Sequence, residues 1–380
     1  MIPLIHGLSV LALGIGAIGL GYHLLLALFA RRPLPESRTG EHPRIAVLIP
    51  AHNEAAHLGD LLADLRGQTT PPEVVLVVAD RCTDETEAIA ARRGATVLSL
   101  KGEHGGKGAA LSAGISFLER ATWDSVLVVD ADCRLDAGFL SVTDAGRDEV
   151  VQGRVSLRAA ADGGGLVYDF FSRIENEVFH RGRARLGLPG FLRGTGMLLG
   201  REALARCPWR SGDLTEDREQ GYHFLRAGIP VRHDPRLSVE TLPPRAVEES
   251  WAQRRRWTSV GLPAHLAAAL GTAWAARDTL GRRGAELPVA VLADARSQWG
   301  VLLLLGAAGA FRIGDGVRDA GLGLVAAAAC FGALAGIRWY GLRFLGVAIQ
   351  VPVSVGLAAV MGLLSLVGVR PGSWRRGRQT

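Results

Sequence analysis

The 380-residue sequence predicts an α/β protein with a doubly wound, largely parallel sheet and apolar helices at both ends of the chain. Three observations carry that expectation. Between Arg44 and about Arg245, short runs rich in β-branched residues alternate with stretches of helical periodicity. Three of those runs end in carboxylates, as expected where a ligand binds at the carboxyl ends of parallel strands. Outside this polar middle the chain turns apolar, which brings the hydrophobic fraction to 48%.

In chain order, Leu4 to Ala30 contain no Asp, Glu, Lys or Arg. At about 1.5 Å per residue this run exceeds the roughly 30 Å of a bilayer core, so residues 1–33 read as a transmembrane anchor. A cleaved signal peptide fits less well, because the run lacks a basic leader and ends in Arg31-Arg32-Pro33 without a small-residue cleavage site. Arg31, Arg32, Arg38 and Arg44 follow the run and only His6 lies near its start, an asymmetry that puts the polar middle on the cytoplasmic side of a cell membrane. Cys82, Cys133, Cys207 and Cys330 have no spacing suited to zinc or a disulfide framework, which fits reduced thiols. The net charge of +6 comes mostly from arginines beside apolar segments and suits membrane lipid headgroups. No nucleic-acid-binding signature is present.

The polar middle, residues 44–245, supplies the predicted strands Arg44 to Ala51, Glu73 to Asp80, Ala95 to Leu100 and Ser125 to Asp132. Helical patterns separate them, "EAAHLGDLLADLRGQ" and "DETEAIAARRG", the second closed by Gly94. Asn53 and Glu54, Asp80, and Asp130 with Asp132 gather at the strand ends. A turn explains one such acidic end. Three together would repel one another unless a cation joins them, and hard oxygen donors suit Mg2+ or Mn2+ shared with phosphate oxygens better than zinc. A nucleotide diphosphate is the ligand this implies.

"GEHGGKGAAL", Gly102 to Leu111, fits that ligand. Lys101 and Lys107 are the only lysines among 43 basic residues, and the glycines around Lys107 permit backbone approach to an anion. Gly108 follows the lysine, so this is not a Walker loop; a plain surface loop is the alternative.

"IPAHNE", "VVADRCTDET", "GGKGAAL", "VVDADC", "GTGMLLGREAL", "LTEDREQGYHFLRAG" and "QRRRW" resemble, in order and spacing, the family-2 glycosyltransferases. More narrowly they are similar to the membrane-embedded branch that includes cellulose, chitin, hyaluronan and poly-N-acetylglucosamine synthases. The resemblance covers about Arg44 to Trp257. It implies a GT-A fold, a UDP-sugar donor, a divalent metal and inversion at the anomeric carbon. By position in the motifs, Asp80 accepts from the uracil imide, Glu54 lines the nucleotide pocket, Asp130 lies near ribose and diphosphate, Lys107 near the diphosphate, and Asp132 is the metal ligand. Ala79 departs from the family, where many members carry a first aspartate, and this loosens the identity of the base. Gly194, Thr195 and Gly196 are expected to form a tight turn on the acceptor side, where an ordinary β-turn is the competing reading.

"TED", Thr215 to Asp217, is compatible with a helix N-cap and an acidic first turn. By the resemblance it is the general-base motif, with Asp217 taking the acceptor proton and Glu216 structural or supporting. Gln253, Arg256 and Trp257 match QxxRW within residues 246–285, a stretch that also reads as a basic interfacial helix. The resemblance places Arg256 on the leaving diphosphate and Trp257 against the acceptor sugar.

Within residues 286–369, Trp299 to Phe311, Ala320 to Ile337 and Leu345 to Val369 are candidate membrane spans, the first of marginal length. The basic tail 370–380 should be cytoplasmic, which requires an even number of crossings after a cytoplasmic domain; two or three crossings stay open. The membrane portion is smaller than that of the polymer synthases, which puts a built-in export channel in doubt. Together these features predict a multi-pass membrane glycosyltransferase moving glucose or N-acetylglucosamine from a UDP-sugar to a polysaccharide or lipid acceptor in β-linkage. The alternatives are a single transfer to a lipid carrier or glycolipid, and a non-catalytic nucleotide-sugar-binding subunit working with an export partner. A transporter fits least, since the apolar segments carry few charges beyond Asp294 and Arg296.

Overall fold

The β-branched runs form strands where expected. The computed structural model describes residues 2–31, 42–102, 106–158, 169–210, 215–242, 261–294, 298–311 and 313–341. Strands β1 (Ile45–Ala51), β2 (Val74–Asp80), β3 (Thr96–Leu100) and β4 (Ser125–Val128) pair in parallel in the order β3-β2-β1-β4. Helices α2 (Leu58–Arg66), α3 (Thr86–Arg92) and α4 (Lys107–Leu118) connect them. The sheet is covered on both faces, so its strands are apolar on both. Val47 and Ile49 pack with Leu58, Leu61 and Leu65 of α2. Ala46 and Leu48 face the other way, toward Ala110, Leu111 and Ile115 of α4. Gly114 lets α4 approach closely, because a Cβ there would strike Leu48 and Val78.

Strand β4 is shorter than the expected Ser125 to Asp132. Its ladder stops at Val128, Val129 still donates to Leu48 O at 3.1 Å, and the chain then turns with Cys133 N on Asp130 O. Asp130 and Asp132 therefore sit on a turn above the sheet edge. From there β5 (Cys133–Leu135) departs for the far edge.

The second half departs from the expected parallel winding. Strands β6 (Val150–Leu157), β7 (Met197–Gly200) and β8 (Val231–Thr241) complete an eight-stranded mixed sheet in the order β3-β2-β1-β4-β7-β6-β8-β5, with β7 antiparallel to both β4 and β6. The junction of β1 and β4, where successive parallel connections lead to opposite sides, is the switch point at which such sheets open a crevice for ligands.

A helical layer covers one side. It contains α1 (Ile2–Ala30), a π-helical stretch Ile174–His180 continued by α5 (Arg181–Arg185), α8 (Gly261–Ala275), α9 (Leu287–Asp294), α10 (Gln298–Ala310) and α11 (Asp315–Tyr340). The short α6 (Arg201–Arg206) follows β7, and α7 (Glu216–Arg226) precedes β8. Leu26, Phe179, Phe191, Tyr222, Leu225, Ala269 and Val291 form one buried cluster that ties α7 to this layer.

Among the described residues, two helices, His6–Ala30 and Asp315–Tyr340, are long and apolar enough to cross a membrane by length and composition. The candidate span Trp299 to Phe311 falls on α10, and residues 295–297 just before it lie outside the described residues. It packs on α1: a Cβ on Gly306 would lie 2.7 Å from Leu13 Cγ, and one on Gly309 would overlap Ser9. Leu345 to Val369 and the basic tail lie outside the described residues.

Candidate active site

Lys107 is the first residue of α4, and its Nζ reaches Asp130 Oδ1 at 2.5 Å on the turn after β4. Burial alone would favour the neutral amine, but the carboxylates of Asp130, Glu216 and Asp217 outweigh it and raise the pKa of the ammonium. A single compact cation thus sits among three carboxylates.

Asp80, almost fully buried at the end of β2, takes Arg81 Nε at 3.0 Å, Arg81 Nη2 at 3.2 Å and the backbone N–H of Gly106 at 2.8 Å. Its own carbonyl meets His52 Nδ1 at 2.6 Å. These bonds occupy three of the roughly four lone-pair sites of the carboxylate and leave room for one more donor. Arg81 reaches back in this way because its backbone is left-handed, φ 51°. Glu54 is buried in the loop after β1, where its N–H donates to Thr86 Oγ1 at 2.8 Å and its carbonyl accepts from His57 and Leu58. Asn53, also at positive φ, accepts from Thr83 N and holds that loop against the start of α3.

Asp132 is half-buried beside Asp130, with Cys133 Sγ 4.0 Å from its Oδ1. Lys107 balances the charge of Asp130, and Asp132 adds a second carboxylate at the same edge. A hard-oxygen donor there fits Mg2+ or Mn2+ completed by phosphate oxygens, as the sequence predicts.

Gly194 and Gly196 have φ +81° and +65°, so the expected tight turn is present and requires glycine conformations. Thr195, buried between them, accepts from Asp130 N at 3.0 Å and locks the turn to the strand end. A Cβ on Gly194 would lie 3.2 Å from Lys107 Nζ and 3.3 Å from Asp217 Oδ2. The missing side chain lets a cation and a carboxylate both approach this glycine closely. One on Gly196 would collide with Val239.

"TED" opens α7, yet Thr215 makes no side-chain capping bond. Asp217 Oδ1 accepts instead from the neighbouring Arg218 N at 2.7 Å, leaving Oδ2 beside Gly194. Glu216 is buried and its pKa is raised to about 7, first by burial and then by the charge of Asp217, with Lys107 opposing. Glu216 therefore holds its proton into the neutral range. Gln253, Arg256 and Trp257 lie outside the described residues.

Sequence reasoning missed the group behind this site. Glu175, His180 and Asp294 bring ligand-type atoms within 4.8 Å of one another. Arg193 Nη2 meets Glu175 Oε2 at 3.0 Å, and Arg218 Nη2 meets Asp294 Oδ2 at 2.7 Å. Two guanidinium groups thus balance the two carboxylates, and a dication added there would bury uncompensated positive charge. His180 and His233, with ring centroids 5.2 Å apart, are held neutral by burial. The Glu175–His180 stretch, Arg193, Arg218 and Asp294 come from four separate segments, so no local pattern announces this group.

Residues 42–259 match the family model described as glycosyltransferase like family 2. A beta-monoglucosyldiacylglycerol synthase from Nostoc sp. is 28% identical over 280 residues, which cover 68% of this chain and 57% of that one. The chain thus spans little more than half the length of that relative. A 4,4'-diaponeurosporenoate glycosyltransferase from Staphylococcus aureus is 33% identical over 111 residues, 28% of each chain. Among solved structures, a mannosyltransferase from Pyrobaculum calidifontis in complex with GDP-Man and Mn2+ superposes with a TM-score of 0.61 at 17% identity, covering 96% of this chain and 97% of that one. That likeness concerns the fold.

Proposed function

The chain belongs to glycosyltransferase family 2 and is a glycosyltransferase using a nucleotide sugar; we propose that it is membrane-bound and moves a hexose from a UDP-sugar to a lipid hydroxyl, with inversion. The observation that carries this reading is the convergence of Lys107 Nζ and Asp217 Oδ2 on Gly194. There Asp217 takes the proton of the acceptor hydroxyl as the oxygen attacks the anomeric carbon. The bond from that carbon to the diphosphate breaks on the opposite face, toward the cation of Lys107. Asp80 would receive the base, Glu54 and Asp130 would line the nucleotide, and the turn 194–196 would face the acceptor. Gln253, Arg256 and Trp257 would complete the acceptor side. A divalent cation held by Asp132 and the donor phosphates would offset the negative charge of the leaving group.

A lipid acceptor is supported by two points. The base helix α7 is docked on the apolar helical layer, not on a solvent-facing surface. The relatives named above act, by their names, on a diacylglycerol and on a carotenoid acid. A processive polysaccharide synthase, the second reading, rests on the "QRRRW" segment. The catalytic layer would lie on the cytoplasmic side, with α1 and α11 in the membrane.

The test is incubation of the purified full-length protein with a panel of UDP-sugars and GDP-mannose, Mn2+, and diacylglycerol or polyprenyl phosphate in mixed micelles. Mass analysis of the extracted lipids should show a single added hexose. A polymer on the lipid, or no lipid product beside soluble glycan, would replace this reading with the processive one.

A further inference from the structure

The first turn of α7 carries two adjacent charges that leave the helix in different directions. Asp217 turns toward Gly194 and Lys107, and Arg218 turns the other way, into the helical layer. There its guanidinium meets Asp294 at 2.7 Å and lies over the Phe191 ring, 4.7 Å from the centroid. Asp294 is itself nearly buried. A buried carboxylate is stable only where a cation pairs with it, and Arg218 is that cation. At the other end of α7, Arg226 Nε donates to Thr272 of α8 at 3.0 Å. The helical layer thus grips α7 at both ends.

We propose that Asp294 is a positioning residue for sugar transfer: it holds the Arg218 guanidinium on the α9 side, away from the neighbouring Asp217, and so keeps that carboxylate beside Gly194 and available as a base. This rests on the reading of Asp217 as the base. Without Asp294 the guanidinium loses its direct ion pair, and the other carboxylate nearby, Glu175, is already held by Arg193. The guanidinium, one residue away from Asp217, is then drawn to the 216–217 pair. An ion-paired carboxylate is a weaker proton acceptor. The groups that face the 216–217 pair are Lys107 of α4, Asp130 of the turn after β4, and Arg218. Those that face Asp294 are Arg218 and Tyr222 of α7, Glu175 and His180 of the π-helical stretch, and His23 of α1.

The experiment compares wild type, Asp294→Asn, Asp294→Glu, Arg218→Met/Asp294→Asn and Asp217→Asn in full-length protein, measuring UDP binding, kcat, donor KM and the pH dependence of kcat. Asp294→Asn should lower kcat about tenfold or more with donor KM and UDP binding near wild type, and should move the acid limb of the profile to lower pH. The double variant, which has no guanidinium to release, should return the acid limb to its wild-type place, and Asp294→Glu should restore it in part. An acid limb unmoved in Asp294→Asn overturns the proposal whatever happens to kcat. So does a limb that stays displaced in the double variant. If Asp294→Asn loses UDP binding through misfolding, the Asp294→Glu limb decides alone, and a wild-type kcat with a displaced limb there counts against the proposal. Normal turnover in Asp217→Asn removes the base reading itself, whereas its collapse beside a wild-type-like Asp294→Asn removes only the role of Asp294.

Discussion

Lys107 Nζ and Asp217 Oδ2 converge on Gly194, each within 3.3 Å of the point a Cβ on that glycine would occupy. A methyl there crowds both charged groups and forces an L-residue into φ +81°, a conformation that costs roughly 1–2 kcal/mol. Gly194→Ala should therefore lower the transfer rate by about 10² while the folded protein still binds UDP. Transfer assayed beside UDP binding checks this; an active Gly194→Ala enzyme would place the reacting atoms elsewhere.

Asp217→Asn keeps the shape of the side chain and its acceptor oxygen for Arg218 N, and removes its proton affinity. Transfer should fall by about 10² to 10⁴, the usual worth of a general base. UDP affinity should stay near wild type, because Asp80, Lys107 and Asp130 are untouched. Turnover at the wild-type rate would reduce Asp217 to an ordinary first-turn acid.

Chelation probes Asp132. EDTA should abolish transfer and added Mn2+ or Mg2+ should restore it, and Asp132→Asn should need more metal for half-maximal rate. Full activity in EDTA would rule the metal out of the reaction.

Glu216 gives a stability signature. Its folded pKa of about 7 lies above the ordinary 4.5, so the folded state binds the extra proton between those values. Its contribution is fully present below about pH 4.5 and is lost as pH rises through 7. Thermal melts of wild type and Glu216→Gln should diverge across that window, with the variant the more stable at pH 8. Parallel melts from pH 4.5 to 8 would mean that Glu216 is solvated.

Much of the left half of the sheet was legible, because parallel strands covered on both faces must be continuous apolar runs. The right half was not. In β8, "VRHDPRLSVET" carries a proline and the pairs Arg232–Asp234, Arg236–Asp234 and Arg236–Asp144, which bring charged residues into the strand with help from another segment and erase any alternation. Its partner β6 shifts register between Gly153 and Arg154. The site divides the same way. Asp80, Asp130 and Lys107 follow strand ends or open a helix, and local pattern finds them. Asp294, Glu175 and Arg193 meet Arg218 and His180 only through tertiary packing, which no local window contains.

The interlocking of Gly306 and Gly309 with Leu13 and Ser9 also sets an order of events in synthesis. Helix α1 is the first of these elements made, and the small residues that accept it are made after the whole catalytic layer. Until then the Ser9–Leu13 face has no protein partner, and only lipid or a chaperone can cover it. A nascent chain released before α10 emerges would carry the finished eight-stranded sheet on an unclosed support, with an apolar helix face open to association.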